Sequence, residues 1–135
     1  MAETNLERYH RWFEEVWNQG NEDTIDELLS ESSTGHGLGS EPVMGPAAFR
    51  QFWSAFLSTF DNFHVSVDRA IESGDHVAGC LTVTGRHVGD ALGCPASGKD
   101  VSFTAQVFTR WSDGKIAEAW NLVDMAGLYQ QAGAL

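Results

Sequence analysis

The sequence predicts an α+β fold, and three observations predict it. Apolar residues recur at helical spacing up to Phe60, they alternate with polar residues from Phe63 onward, and a short helical tail closes the chain. Helices first and strands afterwards argue against the strand–helix alternation of a parallel α/β sheet. The 135 residues suit one domain, 1–135, around one core.

Each element carries its own signals. Thr4 followed by Glu7 reads as a capping box, and Leu6, Tyr9, Phe13, Val16 and Trp17 then share one helical stripe up to a stop at Gly20. A second short helix is capped by Asn21 or Asp23 and carries Ile25, Leu28 and Leu29. Residues 30–45, SESSTGHGLGSEPVMG, read as an irregular loop with His36 in its middle. Pro46 sits where a third helix begins. Phe49, Phe52, Trp53, Phe56, Leu57 and Phe60 give that helix a broad aromatic face, suited to a core or to the wall of an apolar pocket.

Phe63, Val65, Val67 and Ile71 then alternate along a first strand, and SGD at 73–75 turns the chain. HVAGCLTVTGRHVG is the second strand, residues 88–100 a long connection, and 101–111 the third strand. SDGK makes a hairpin turn into the fourth strand, 116–124. Four consecutive strands predict an antiparallel meander whose apolar face packs under the three helices. The turn allows two or three loop residues, so spacing leaves open whether Asn121 or Trp120 points inward. If Asn121 points in, Ala119 and Val123 follow, and Trp120 with Leu122 forms an outward apolar patch suited to a partner.

Composition narrows the function classes. Hydrophobic residues make up 42% and charged ones 20%, an ordinary globular balance. The formal net charge of −11 argues against nucleic acid and anionic membranes as partners. No apolar run is long enough to span a bilayer, and the polar start MAETNLERYH is no export signal, so a cytoplasmic protein is expected. Cys80 and Cys94 are expected to stay reduced, with Cys80 as a small buried apolar group. The five histidines show no metal-motif spacing, so no metal is expected.

RWFEEVWNQGNEDTIDELL, GPAAFRQFWSAF, VTGRHVGDALGCPASGKDVSF and SDGKIAEAWNLVDMAGLYQQAG together resemble the SnoaL-like polyketide cyclases of the nuclear-transport-factor-2-like superfamily. The most specific pieces are G-R-H-x-G-x-x-x-G-x-P-x-x-G, from Gly85 to Gly98, and D-G-K-I followed by W-x-x-x-D. The resemblance implies a cone: a curved antiparallel sheet wrapped around three helices, with an internal apolar pocket. It also implies a homodimer packed through the outer sheet face. The implied chemistry is an intramolecular aldol ring closure on a hydrophobic, carbonyl-bearing molecule, with no metal or organic cofactor. Its acid/base is an aspartate three residues before the aspartate of W-x-x-x-D, assisted by a histidine on the preceding strand. Those positions here are Asn121 and Val107. A carboxamide cannot abstract a proton, although it can donate a hydrogen bond to a carbonyl or enolate oxygen.

Other candidates remain for catalysis and binding. His36 is the candidate base, since its ordinary pKa lies near neutral and the family commonly carries a histidine near this place. Asp124 is the retained acid, or the cap of the helix that begins at Met125. His87 lines the pocket mouth or anchors the long connection. Tyr9, Phe13, Trp17 and Trp53 are candidate ligand contacts on the helices, or core. Two functions follow: a cofactor-independent cyclase, isomerase, dehydratase or hydrolase using His36 and Asn121, or a non-catalytic module that holds a small hydrophobic ligand.

Overall fold

The computed structural model describes residues 2–134. The capping box closes as expected: the Thr4 hydroxyl accepts from the Glu7 amide, and the Glu7 carboxylate from the Thr4 amide, both at 3.0 Å. The helix so started, α1 (Asn5–Arg11), runs into a π-helical segment, Trp12–Asn18. Its wider winding brings Trp12 and Trp17, five residues apart, to the same inner side as Phe13. Asn18 then ties the segment to the sheet, donating to the Val65 carbonyl at 2.9 Å and accepting from the Val65 amide at 2.8 Å. Asn21 caps α2 (Glu22–Leu28), and Pro46 stands in the first turn of α3 (Gly45–Ser58).

The strands are β1 (Leu29–His36), β2 (Val43–Met44), β3 (Phe60–Ser73), β4 (His76–His87), β5 (Asp100–Ser112) and β6 (Lys115–Val123). They form one sheet in the order β2-β1-β6-β5-β4-β3, and α4 (Met125–Gln131) follows. The expected meander is β3 to β6, antiparallel throughout. The stretch 30–45 is not an irregular loop: it holds most of β1 and all of β2, and β1 lies parallel to β6. The sheet is therefore mixed. LSESSTGH has one large apolar residue, so the period-two signal that marks a strand has nothing to act on.

Bulges bend this sheet around the helices, within β3 between Asp61 and His64 and again between Val67 and Arg69, and within β6 at Ala117, between the Trp111–Ile116 and Arg110–Glu118 pairs. The second bulge in β3 reverses the alternation. Phe63, Val65 and Val67 pack on or in the core, whereas Ile71, expected on the same face, is 74% exposed. Cys80 is likewise exposed, on the outer face of β4, and not the small buried group expected of it.

The Asp113–Gly114 turn and a bulge just after it together settle the open register. Both turn residues have positive φ, +52° and +77°, in a two-residue loop that pairs Ser112 with Lys115. Continued without interruption, that pairing would set Val107 opposite Trp120; the extra residue Ala117 in β6 shifts it by one, so Val107 stands opposite Asn121 and Phe108 opposite Trp120. Asn121, Ala119 and Val123 face the helices, while Trp120 and Leu122 lie on the outer face. No helix among the described residues is long and apolar enough to cross a membrane.

Candidate functional site

Between the helices and the concave face of the sheet lies a cavity of about 100 Å³. One side is aromatic, made by Trp12, Phe13 and Trp17 of the first helical stretch and Phe49, Phe52 and Phe56 of α3. Trp17 is the hub of this wall, with ring centroids of Phe49, Phe52, Phe56 and Phe63 between 5.5 and 6.4 Å away. The sheet side carries the few polar groups, Ser33 and Thr34 of β1, Thr109 of β5 and Asn121 of β6. None of the lining side chains is ionisable.

Four of the candidate residues meet here: Phe13, Trp17, Val107 and Asn121. The other five do not, and each has a physical reason. Tyr9 is buried beneath the sheet and its hydroxyl donates to the Val107 carbonyl at 2.8 Å. Burial pushes its pKa up, so it stays a neutral donor committed to the backbone. Trp53 turns from the cavity to donate from Nε1 to the Val16 carbonyl at 3.1 Å. Asp124 is exposed and caps α4, its carboxylate accepting from the Gly127 amide at 2.9 Å.

His87 is fully buried and anchors the 88–99 connection. Its Nδ1 accepts from the Ser97 amide at 3.2 Å, and its backbone bonds Lys99 and Gly98. It stands outside the cavity lining, so of its two expected roles the structure shows anchoring.

His36 is the largest correction. It is the last residue of β1, not a loop residue, and its ring lies on the outer face. There Nε2 meets Glu118 Oε2 at 2.7 Å and the ring stacks on Trp120 with centroids 5.7 Å apart. The hydrogen bond to His36, and then that to Arg110, hold the Glu118 carboxyl below the usual carboxylate range. Alternation along the strand explains the placement: β1 turns Ser33 inward and His36 outward.

Asn121 is held from two directions. Its Nδ2 donates to the His36 carbonyl at 2.9 Å. Gly37, at φ +81°, lies so close to the Asn121 carbonyl that a Cβ there would sit 1.8 Å from its oxygen. Thr109 is also committed, donating to the Val77 carbonyl and accepting from Trp111 Nε1, both at 2.8 Å. Ser33 is only 4% exposed and turns toward the cavity. Sequence reading missed Ser33 because β1 was missed.

Comparison with known proteins gives one consistent result. The SnoaL-like polyketide cyclase family model matches residues 7–132. The chain is 32% identical over 122 residues to aklanonic acid methyl ester cyclase DauD of Streptomyces sp. (strain C5), covering 88% of this chain and 76% of that protein. It is 30% identical over 124 residues to nogalonic acid methyl ester cyclase of Streptomyces nogalater, covering 87% and 90%. Among solved structures, TsrD from Streptomyces laurentii superposes with a TM-score of 0.87 at 27% identity, over 100% of this chain and 99% of that one.

Proposed function

The chain belongs to the SnoaL-like polyketide cyclase family, and on that premise we propose that it holds a hydrophobic, carbonyl-bearing small molecule in the cone cavity without moving its protons. One observation carries this reading: every side chain that lines the cavity is un-ionisable. Ring closure through an enolate needs a group that takes a proton and returns it. Asn121 and Val107 cannot, and the nearest candidate base, His36, faces the opposite side of the sheet in a pair with Glu118. The aromatic wall still suits a planar, apolar ligand. The names of the cyclase relatives point to methyl esters of polyketide acids as the first class to try.

The test is a thermal-shift screen of such esters, small ketones and aromatic acids, with each hit followed by mass spectrometry. A ligand at a hundred times its Kd is expected to stabilise the fold by about 2.7 kcal/mol. The reading requires that shift with no product, unchanged in His36→Ala. Product formation that disappears in His36→Ala overturns it in favour of a cofactor-independent enzyme.

The same reading includes a homodimer through the outer sheet face. The support is an exposed apolar strip, Ile71, Phe108, Trp120 and Leu122, running across β3, β5 and β6. A charge placed in this strip should not survive burial against a second copy. Leu122→Glu is expected to convert a dimer into a monomer by light scattering at micromolar concentration, with the thermal melt of the monomer intact. An unmodified chain that is already monomeric there contradicts the dimer.

A further inference from the structure

We infer that Leu38 is the gate of the cavity: its side chain, carried on the connection between β1 and β2, swings out to admit a ligand and sets how large that ligand can be. That role presupposes that the cavity is the ligand site, as proposed above.

Volume shows that something in the wall must yield. The cavity measures about 100 Å³. An apolar cavity that takes up a single benzene molecule measures about 150 Å³. A fused aromatic ligand therefore enters only if part of the wall moves.

Topology singles out the part. Of the residues that line the cavity, all but Leu38 lie in a helix or a strand. The rings of the aromatic wall hold one another, since Trp17 touches Phe49, Phe52, Phe56 and Phe63, so none turns without disturbing the rest. Leu38 has no such support. Its connection is fixed at both ends, by Gly37 packed on the Asn121 carbonyl and by Val43 paired with Gly35. Between those ends, residues 38–42 make no hydrogen bond among the described residues, and 39–42 are exposed. Segments with few bonds and exposed backbone open at the least cost.

The seat of the gate is visible on β1. Gly35 lines the cavity without a side chain of its own, and Leu38 Cδ1 folds back over it, 3.5 Å from where a Cβ would stand. Gly39, next along, has nothing within 4 Å of its would-be Cβ, so the chain has room to carry Leu38 outward. The plug is aliphatic, so when seated it continues the apolar wall.

Naphthalene binding tests this, followed by stopped-flow tryptophan fluorescence with Trp12 and Trp17 of the wall as reporters. In the parent the observed rate is expected to level off as naphthalene is raised, because opening limits entry. Leu38→Ala is expected to remove that ceiling and to bind about tenfold more tightly, as follows when about a tenth of parent molecules stand open. Leu38→Met keeps the bulk and is expected to restore the ceiling. Val123→Ala removes apolar bulk from the same cavity but from a strand, and is expected to keep the ceiling. If Val123→Ala speeds entry as much as Leu38→Ala, volume alone decides and the gate is overturned. A parent rate that climbs without limit shows a cavity already open, which overturns the gate and leaves the ligand site standing. If neither naphthalene nor the polyketide esters bind the parent or a cooperatively melting Leu38→Ala, the ligand-site reading fails and the gate falls with it.

Discussion

Gly37→Ala is expected to destabilise the protein by about 3–5 kcal/mol, among the largest effects a single methyl group produces. Two penalties add at this position. The backbone sits at φ +81°, a region that costs an L side chain about 1 kcal/mol or more. The new Cβ would also lie 1.8 Å from the Asn121 carbonyl oxygen and 2.9 Å from its carbon, so the β1 end or β6 must move apart. A control separates the two terms. Gly74 has φ +60° with nothing within 4 Å of its would-be Cβ, so Gly74→Ala is expected to cost only about 1 kcal/mol. Urea denaturation of both variants at equal protein concentration measures the difference. Equal midpoints would show that the chain after His36 does not pack on Asn121 as described. The expected loss has a functional side, because displacement of this turn breaks the Nδ2–His36 bond that orients the Asn121 amide.

That coupling between Gly37 and Asn121 lies 84 residues apart in the chain, and sequence reading met only its two ends. The helices, the four long strands and the final cap were legible because each has a local signal: a capping box at Thr4, apolar periodicity, an Asp–Gly turn, an Asp ahead of a helix. β1 was not legible, because a strand with a cavity on one side and a neighbour's ring on the other needs little apolar content of its own. With β1 hidden, the sequence places Ser33 in a loop and offers His36 as a candidate base, whereas its ring is paired with Glu118. Ile71 was misplaced for a related reason, since a bulge shifts the alternation without leaving a mark in composition. Aromatic residues on α1 and α3 were ambiguous between core and pocket because one helical face does both: Trp17 lines the cavity, and Trp53 on α3 bonds to the backbone behind it.

Asn121→Asp is expected to be a pH-dependent lesion, and its sign follows from the same 2.9 Å contact. The amide donates to the His36 carbonyl. An ionised carboxylate there sets oxygen against oxygen, in a half-buried place with no cation lining the cavity. A protonated carboxyl keeps a donor and can restore the bond. Folding therefore favours the protonated form, and the folded-state pKa rises above the unfolded value of about 3.9. The unfolded chain releases the proton first, so stability relative to the parent is nearly intact below about pH 4 and falls as pH rises through the folded-state value. Urea melts are expected to show a loss of less than about 1 kcal/mol at pH 3.5 and about 2–3 kcal/mol at pH 8, the cost of a buried charge-bearing group without its hydrogen bond. A loss independent of pH would mean that the new carboxylate reaches solvent and that the cavity end is wetter than its lining suggests. The raised pKa is also what a general base needs to work near neutral pH. Adding Val107→His places an imidazole opposite the new acid, because residues 107 and 121 pair across β5 and β6. The ion pair is expected to recover part of the loss at pH 8. If that double variant turns over a polyketide methyl ester that the parent only binds, the cavity already has the shape for ring closure and lacks only the proton carrier. If it binds the ester and forms no product, the aromatic wall holds the ligand in a pose that ring closure cannot use.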